Sequence, residues 1–207
     1  MLFLLSLLSI FLLPQDFRPT ATSAALLLLA LLLSSWGKGL RAGISYLRLN
    51  LPRDGLLPLL GWSAAALLSS CMVTGVISGI LWLAGLLDTA PVEQKILSLP
   101  LLALVSAFTL APFAEEALFR GYFFRRMQEA AGKKKAHSPV SVALAAVLSS
   151  LLFASLHFSY GSFSELAVAF FVGLALCAFV RKTGSLWPAV LAHASFNLLS
   201  VLFTVVL

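Results

Sequence analysis

Charge is what this chain has least of. Only 11% of its 207 residues are Asp, Glu, Lys or Arg, whereas 60% are hydrophobic, and the mean hydropathy is +1.02. A water-soluble domain of this size cannot hide so much apolar surface, so the composition points to an integral membrane protein, an all-α polytopic helix bundle. Cysteine is also scarce. Cys71 and Cys177 both lie in apolar runs, offer no disulfide or metal-site spacing, and read as small packed side chains. Asp16, Asp54 and Asp88 are the only aspartates and all sit at the ends of apolar runs. That excludes an intramembrane aspartyl protease, which needs two aspartates at depth. No Gly-x-Ser-x-Gly-like elbow lies near a buried histidine, which argues against a rhomboid-like serine protease. Internal repeats, a soluble second domain and low-complexity linkers are absent too, so residues 1–207 read as a single domain with a motif-bearing core at 97–207.

Long apolar runs are abundant. Runs of this length read as spanning helices, and seven are expected, at 1–13, 21–35, 56–87, 97–128, 139–159, 165–180 and 185–207. The first, with no basic residue ahead of it and no convincing cleavage site after it, reads as a retained helix rather than a removed signal peptide. The third is longer than one span needs and has candidate breaks at Gly75 and Gly79. Between spans, 36–55 has the spacing of an interfacial helix (Leu40, Ile44, Leu47, Leu51).

The net charge of +6 does not imply nucleic acid, because the basic residues follow the loops. Twelve of the 14 fall in 36–55, 120–138 and 181–184, all on one side of the predicted bundle; Arg18 and Lys95 fall on the other. The positive-inside rule puts that basic side in the cytoplasm, with the N-terminus inside and the C-terminus outside. The Lys133–Lys135 run is a topology signal of this kind, and His137 beside it reads as a loop residue. Glu93 and Glu165 read as solvated loop residues on the opposite side.

Against this background a few polar residues stand out inside the apolar runs: Glu115, Glu116 and Arg120, then His157, then His193 with Asn197. Placing a charge at the bilayer centre costs roughly 2.5–3.5 kcal/mol, so such residues usually serve a function. Glu115 lies 20 residues before Lys135 and His157 lies 22 after it, so a helical hairpin sets the two at nearly one level. Glu115 and His193 each lie about 15 Å from the basic side at 1.5 Å per residue. Glu116 and Arg120, at i,i+4 with the acid first, form a self-neutralising pair and leave Glu115 free. His193 and Asn197 share a helix face, as do Phe153 and His157. A carboxylate and an imidazole so placed can activate water, and an imidazole with an amide can bind an oxyanion. Each of these groups has a bland reading, as a helix–helix hydrogen bond, and Gly121 and Gly173 read as packing positions.

Glu115-Glu116-x-x-x-Arg120, Phe153-x-x-x-His157 and His193-x-x-x-Asn197 resemble the three motifs of the CPBP intramembrane proteases. That family includes the type II CAAX prenyl endopeptidases and bacterial relatives linked to bacteriocin immunity. The resemblance covers 115–197. It implies peptide hydrolysis with no protein nucleophile: Glu115 and His157 activating water, His193 and Asn197 holding the oxyanion, and Glu116, Arg120 and Phe153 in support. No cofactor is favoured. Glu, His and His remain possible zinc ligands, although the His-Glu-x-x-His helix signature is missing. The expected partners are the lipid bilayer and a membrane-anchored protein or peptide substrate, cut from the cytoplasmic side. The competing expectation is a non-enzymatic immunity or binding protein, or a small transporter, using the same cluster.

Overall fold

A computed structural model describes residues 13–14, 17–49, 55–132 and 138–206. The expected span 1–13 thus lies almost wholly outside the described residues, as do Asp16, Asp54, the Lys133–Lys135 run and His137. All regular structure among the described residues is helical: α1 (Arg18–Ser35), α2 (Leu40–Tyr46), α3 (Leu56–Leu83), α4 (Ala90–Leu97), α5 (Leu101–Phe108), α6 (Leu110–Glu116), a π-helical segment (Ala117–Phe123), α7 (Phe124–Ala130), α8 (Pro139–Leu156), a 3₁₀ turn (His157–Tyr160), α9 (Phe163–Thr183) and α10 (Trp187–Val206). Six stretches are long and apolar enough to cross a membrane: α1, α3, Leu101–Ala130, Pro139–Tyr160, α9 and α10. The polytopic helical bundle is therefore as expected, while several boundaries differ.

The third run does not break. α3 is one 28-residue helix, because Gly75 and Gly79 cost helix propensity but remove no hydrogen bond. The fourth run, expected as one helix, changes geometry three times. Pro112 has no N–H and its ring crowds the carbonyl of Phe108, so the helix is interrupted at Thr109 (φ −122°, ψ −81°). Seven residues of π-helix then follow Glu116. Of the expected 36–55 interfacial helix only Leu40–Tyr46 is helical among the described residues.

Two ends can be told apart by their contacts. At one end the basic loops meet. Arg125 Nη1 donates to the Tyr46 carbonyl (2.7 Å), Arg48 Nη1 to the Val180 carbonyl (3.2 Å), and Trp187 Nε1 to the Leu49 carbonyl (2.9 Å). Tyr46 donates to Glu129 Oε2 at 2.7 Å, and burial together with that carboxylate pushes the Tyr46 hydroxyl pKa upward. At the other end, the turn after α3 grips the start of α9. Asp88 accepts from Ser162 Oγ (2.9 Å) and from the backbone N–H groups of Phe163 (3.1 Å) and Ser164 (2.9 Å). The core between the ends is small-residue packing, with Ala30, Ala66, Ala117, Leu176, Leu186 and Ala189 fully buried. Leucine-rich faces of α3, α8 and α10 are left outward, as lipid-facing surfaces require.

Candidate active site

The site is assembled by the end of α6, the π-helical segment, α8 with the 3₁₀ turn after it, α9 and α10. Glu116 and Arg120 form the expected ion pair, Nη1 to Oε1 at 2.7 Å, with both side chains at 0% exposure. The Arg120 guanidinium also lies over the Phe153 ring, 4.1 Å from its centroid, a cation–π contact in a desolvated setting. Ser149 Oγ donates to the Phe119 carbonyl at 2.8 Å and so ties α8 to the π segment. Gly173 on α9 lets this happen: a Cβ there would come within 2.9 Å of both Arg120 Nη2 and Ser150 Oγ.

Glu116 does more than neutralise Arg120. Its Oε1 also lies 2.9 Å from His193 Nδ1. That oxygen, already taking a hydrogen from Arg120, is an acceptor, so Nδ1 carries the proton. In neutral His193 the Nε2 lone pair is then free, and it lies 3.8 Å from Glu115 Oε2. His157 repeats the arrangement. Its Nδ1 donates to the Phe153 carbonyl at 3.2 Å, leaving Nε2 as the acceptor, 3.8 Å from Glu165 Oε1. Phe153 touches both imidazoles, its ring centroid 4.8 Å from that of His157 and 5.6 Å from that of His193.

The sequence-predicted residues thus gather around Phe153, but in different pairs. Glu115 is beside His193; the acid beside His157 is Glu165. Asn197, one turn beyond His193, donates from Nδ2 to the Ala107 carbonyl at 2.8 Å, a carbonyl next to the break before Pro112. Its second N–H is not used by that bond.

Glu165 is the residue that sequence reasoning missed. The 3₁₀ turn ends at Gly161, which takes φ 70°, and Ser162 caps α9 by accepting from the Glu165 N–H at 3.0 Å. Ser162-x-x-Glu165 is a capping-box pattern, and it marked a helix start at Phe163 rather than a loop through Glu165.

A cavity of about 520 Å³ runs beside these groups. His157, His193, Asn197 and Glu165 line it, with the small residues of α3 (Ser70, Cys71) opposite. Leu87, Asp88, Thr89, Val92, Glu93 and Ile96 also line it, at the end away from the basic loops. The expectation of access from the basic side does not match this geometry. His157 directly follows α8 and Glu165 lies in the first turn of α9, so both lie near the opposite end, although the spacing from Lys135 had set His157 level with Glu115.

As for a metal, no three His, Cys, Asp or Glu side chains among the described residues converge as a metal site would require.

A membrane-embedded helical bundle with carboxylates paired to two imidazoles that line a cavity of about 520 Å³ is the class that fold and site define. Residues 97–199 match the family described as type II CAAX prenyl endopeptidase Rce1-like, and the chain belongs to that family. An uncharacterised 24.3 kDa protein of Escherichia coli is 33% identical over 103 residues, 50% of this chain. The matched stretch spans 44% of that relative's length. No solved structure matches the chain.

Proposed function

We propose that the protein is an intramembrane endopeptidase that hydrolyses a peptide bond of a membrane-associated protein or peptide with a water molecule activated by Glu115 and His193. The observation that carries the reading is the Nε2 acceptor of His193, an imidazole that lines the cavity, facing the Glu115 carboxylate. At 3.8 Å, His193 Nε2 and Glu115 Oε2 are too far apart to bond directly. A water lying about 2.8 Å from each can donate one hydrogen to both, which turns its lone pairs toward the cavity.

The steps balance without a protein nucleophile. As the water oxygen attacks the scissile carbonyl carbon, one of its protons passes to the Glu115–His193 pair and the carbonyl electron pair moves onto oxygen. The unused Asn197 N–H, on the same face as His193, stabilises that oxyanion. On collapse the C–N bond breaks, the proton held by the Glu115–His193 pair passes to the leaving amine, and His157 Nε2, with Glu165 beside it, accepts a hydrogen bond from that amine. Glu116 and Arg120 act through His193 by fixing its tautomer, as the orienting carboxylate does in other imidazole-based sites. Compared with the roles implied by family resemblance, this gives water activation to His193 instead of His157, because Glu115 Oε2 lies beside His193 Nε2.

No step runs through a metal. The active protein is expected to keep its activity after chelation, and loss on chelation with recovery on zinc addition would overturn that part. The main test compares membrane and released proteins from cells carrying the intact chain, Glu115→Gln or His193→Ala. A shortened protein seen only with the intact chain is expected, with cleavage reduced roughly 10²–10⁴-fold in either variant. Undiminished cleavage in Glu115→Gln refutes the reading.

A further inference from the structure

We infer that the cavity opens to the non-cytoplasmic side of the membrane, so that its substrate presents the scissile segment there, at the outer boundary of the bilayer, beside a span or lipid anchor in the outer leaflet. That a substrate is cut there rests on the peptidase reading, but the sidedness stands on its own observations.

The first is the meeting of the basic loops. Arg125 with Tyr46, Arg48 with Val180 and Trp187 with Leu49 bring 36–49, the end of α7 and the α9–α10 turn to one end. With eleven of the 14 basic residues there or in the segments adjoining, and Arg120 buried in the site, that end belongs in the cytoplasm. The second is the lining. Leu87, Asp88, Thr89 and Glu93 line the cavity, and Ser162 and Ser164 join them from the start of α9. These residues belong to the end held together by Asp88, and no lysine or arginine lines the cavity. The third is the position of the chemistry. His157 is the last residue reached by α8 on its way from the basic end, and Glu165 lies in the first turn of α9 starting back. The basic end is closed by backbone bonds such as Leu186 N–H to the Arg48 carbonyl at 3.1 Å. A substrate tail in the cytoplasm would have to cross this packed end to reach Glu165.

Thiol labelling tests it on the full-length protein. Cys71 lines the cavity and is replaced by Ala, while Cys177 is buried and can stay. Glu93→Cys is placed at the Asp88 end and Lys182→Cys at the basic end, both exposed positions. With a membrane-impermeant maleimide, Glu93→Cys is expected to react in intact cells and to lose labelling in sealed inverted vesicles, with Lys182→Cys the reverse. The opposite pattern, or labelling of both positions from both sides, overturns the inference. Should neither thiol react, an epitope inserted after Gly85 decides: antibody binding to intact cells supports it, and binding only after permeabilisation overturns it. Labelling needs no substrate. An uncleaving protein with outward Glu93→Cys sinks the peptidase reading alone, and a cleaving protein with inward Glu93→Cys sinks this inference alone.

Discussion

Arg120 is the residue on which the others lean. It is fully buried, pairs with Glu116 at 2.7 Å, and lies against Phe153. Removing one partner of such a pair strands the other charge in a low-dielectric interior. Arg120→Met, close in length and apolar, is therefore expected to destabilise the protein by about 3–5 kcal/mol. A shift in thermal unfolding in detergent measures this; a variant as stable as the parent would show that Glu116 is satisfied by His193 alone. The pair itself was legible in the sequence, since i,i+4 spacing with the acid first is a local property. Glu115, His157 and His193 were legible because a charged or ionisable group in an apolar run is costly and seldom kept without a role. Which acid faces which imidazole was not. That depends on helix rotation, and on a turn so short that His157 and Glu165, each four residues from Gly161, face one another across it. The same hairpin reasoning applied to this turn, with the capping box beside it, contained the signal.

At the scale of elements, periodicity found the spans and missed their interruptions. Pro112 was visible, but the seven-residue π-helix after Glu116 depends on tertiary contacts such as Ser149 with the Phe119 carbonyl. Gly121 in that segment is packed against Leu47, whose side chain a Cβ would meet at 3.1 Å. π-helical segments recur at functional sites, and here one follows directly on the Glu115-Glu116 pair. The clamp between the α3–α4 turn and α9 is the second element-level device. Hydrogen bonds from Ser164, with those from Ser162 and Phe163, hold the Asp88 carboxyl pKa down to about 2, against about 3.9 for an unperturbed aspartate. A depressed carboxylate contributes stability above its unfolded pKa and loses it as pH falls through the folded value. The stability gap between the parent and Asp88→Asn is thus expected to stay constant from neutral pH down to about 5 and to narrow toward pH 2. Thermal unfolding in an acid-tolerant detergent at three pH values reads it. A gap that widens on acidification would show that the clamp is not held by the ionised carboxylate.

At the scale of the molecule, the match at 97–199 covers the charged machinery but not the whole site. α3 lies outside it and supplies one cavity wall, with Ser70, Cys71 and Thr74 facing the imidazoles' side. α1 also lies outside and packs against α6 and the π segment that carries Arg120. On α3, Ser70 Oγ bonds back to the Ala66 carbonyl of its own helix at 2.9 Å, and no ionisable side chain other than the Cys71 thiol lines the cavity from this helix. Removing it would replace a shaped pocket by open lipid, in which an activated water has no enclosure and unpaired carboxylates are costly. A fragment beginning at Ala90 is therefore expected to retain every motif residue and lose cleavage, while becoming more susceptible to added protease in detergent. Co-expression with residues 1–89 is expected to restore both properties, because the α3–α9 and α3–α10 contacts are lateral packing that separate chains can re-form within a bilayer. Cleavage by the fragment alone at the rate of the intact protein would mean that the site is complete without α3, and that the substrate binds somewhere other than this cavity.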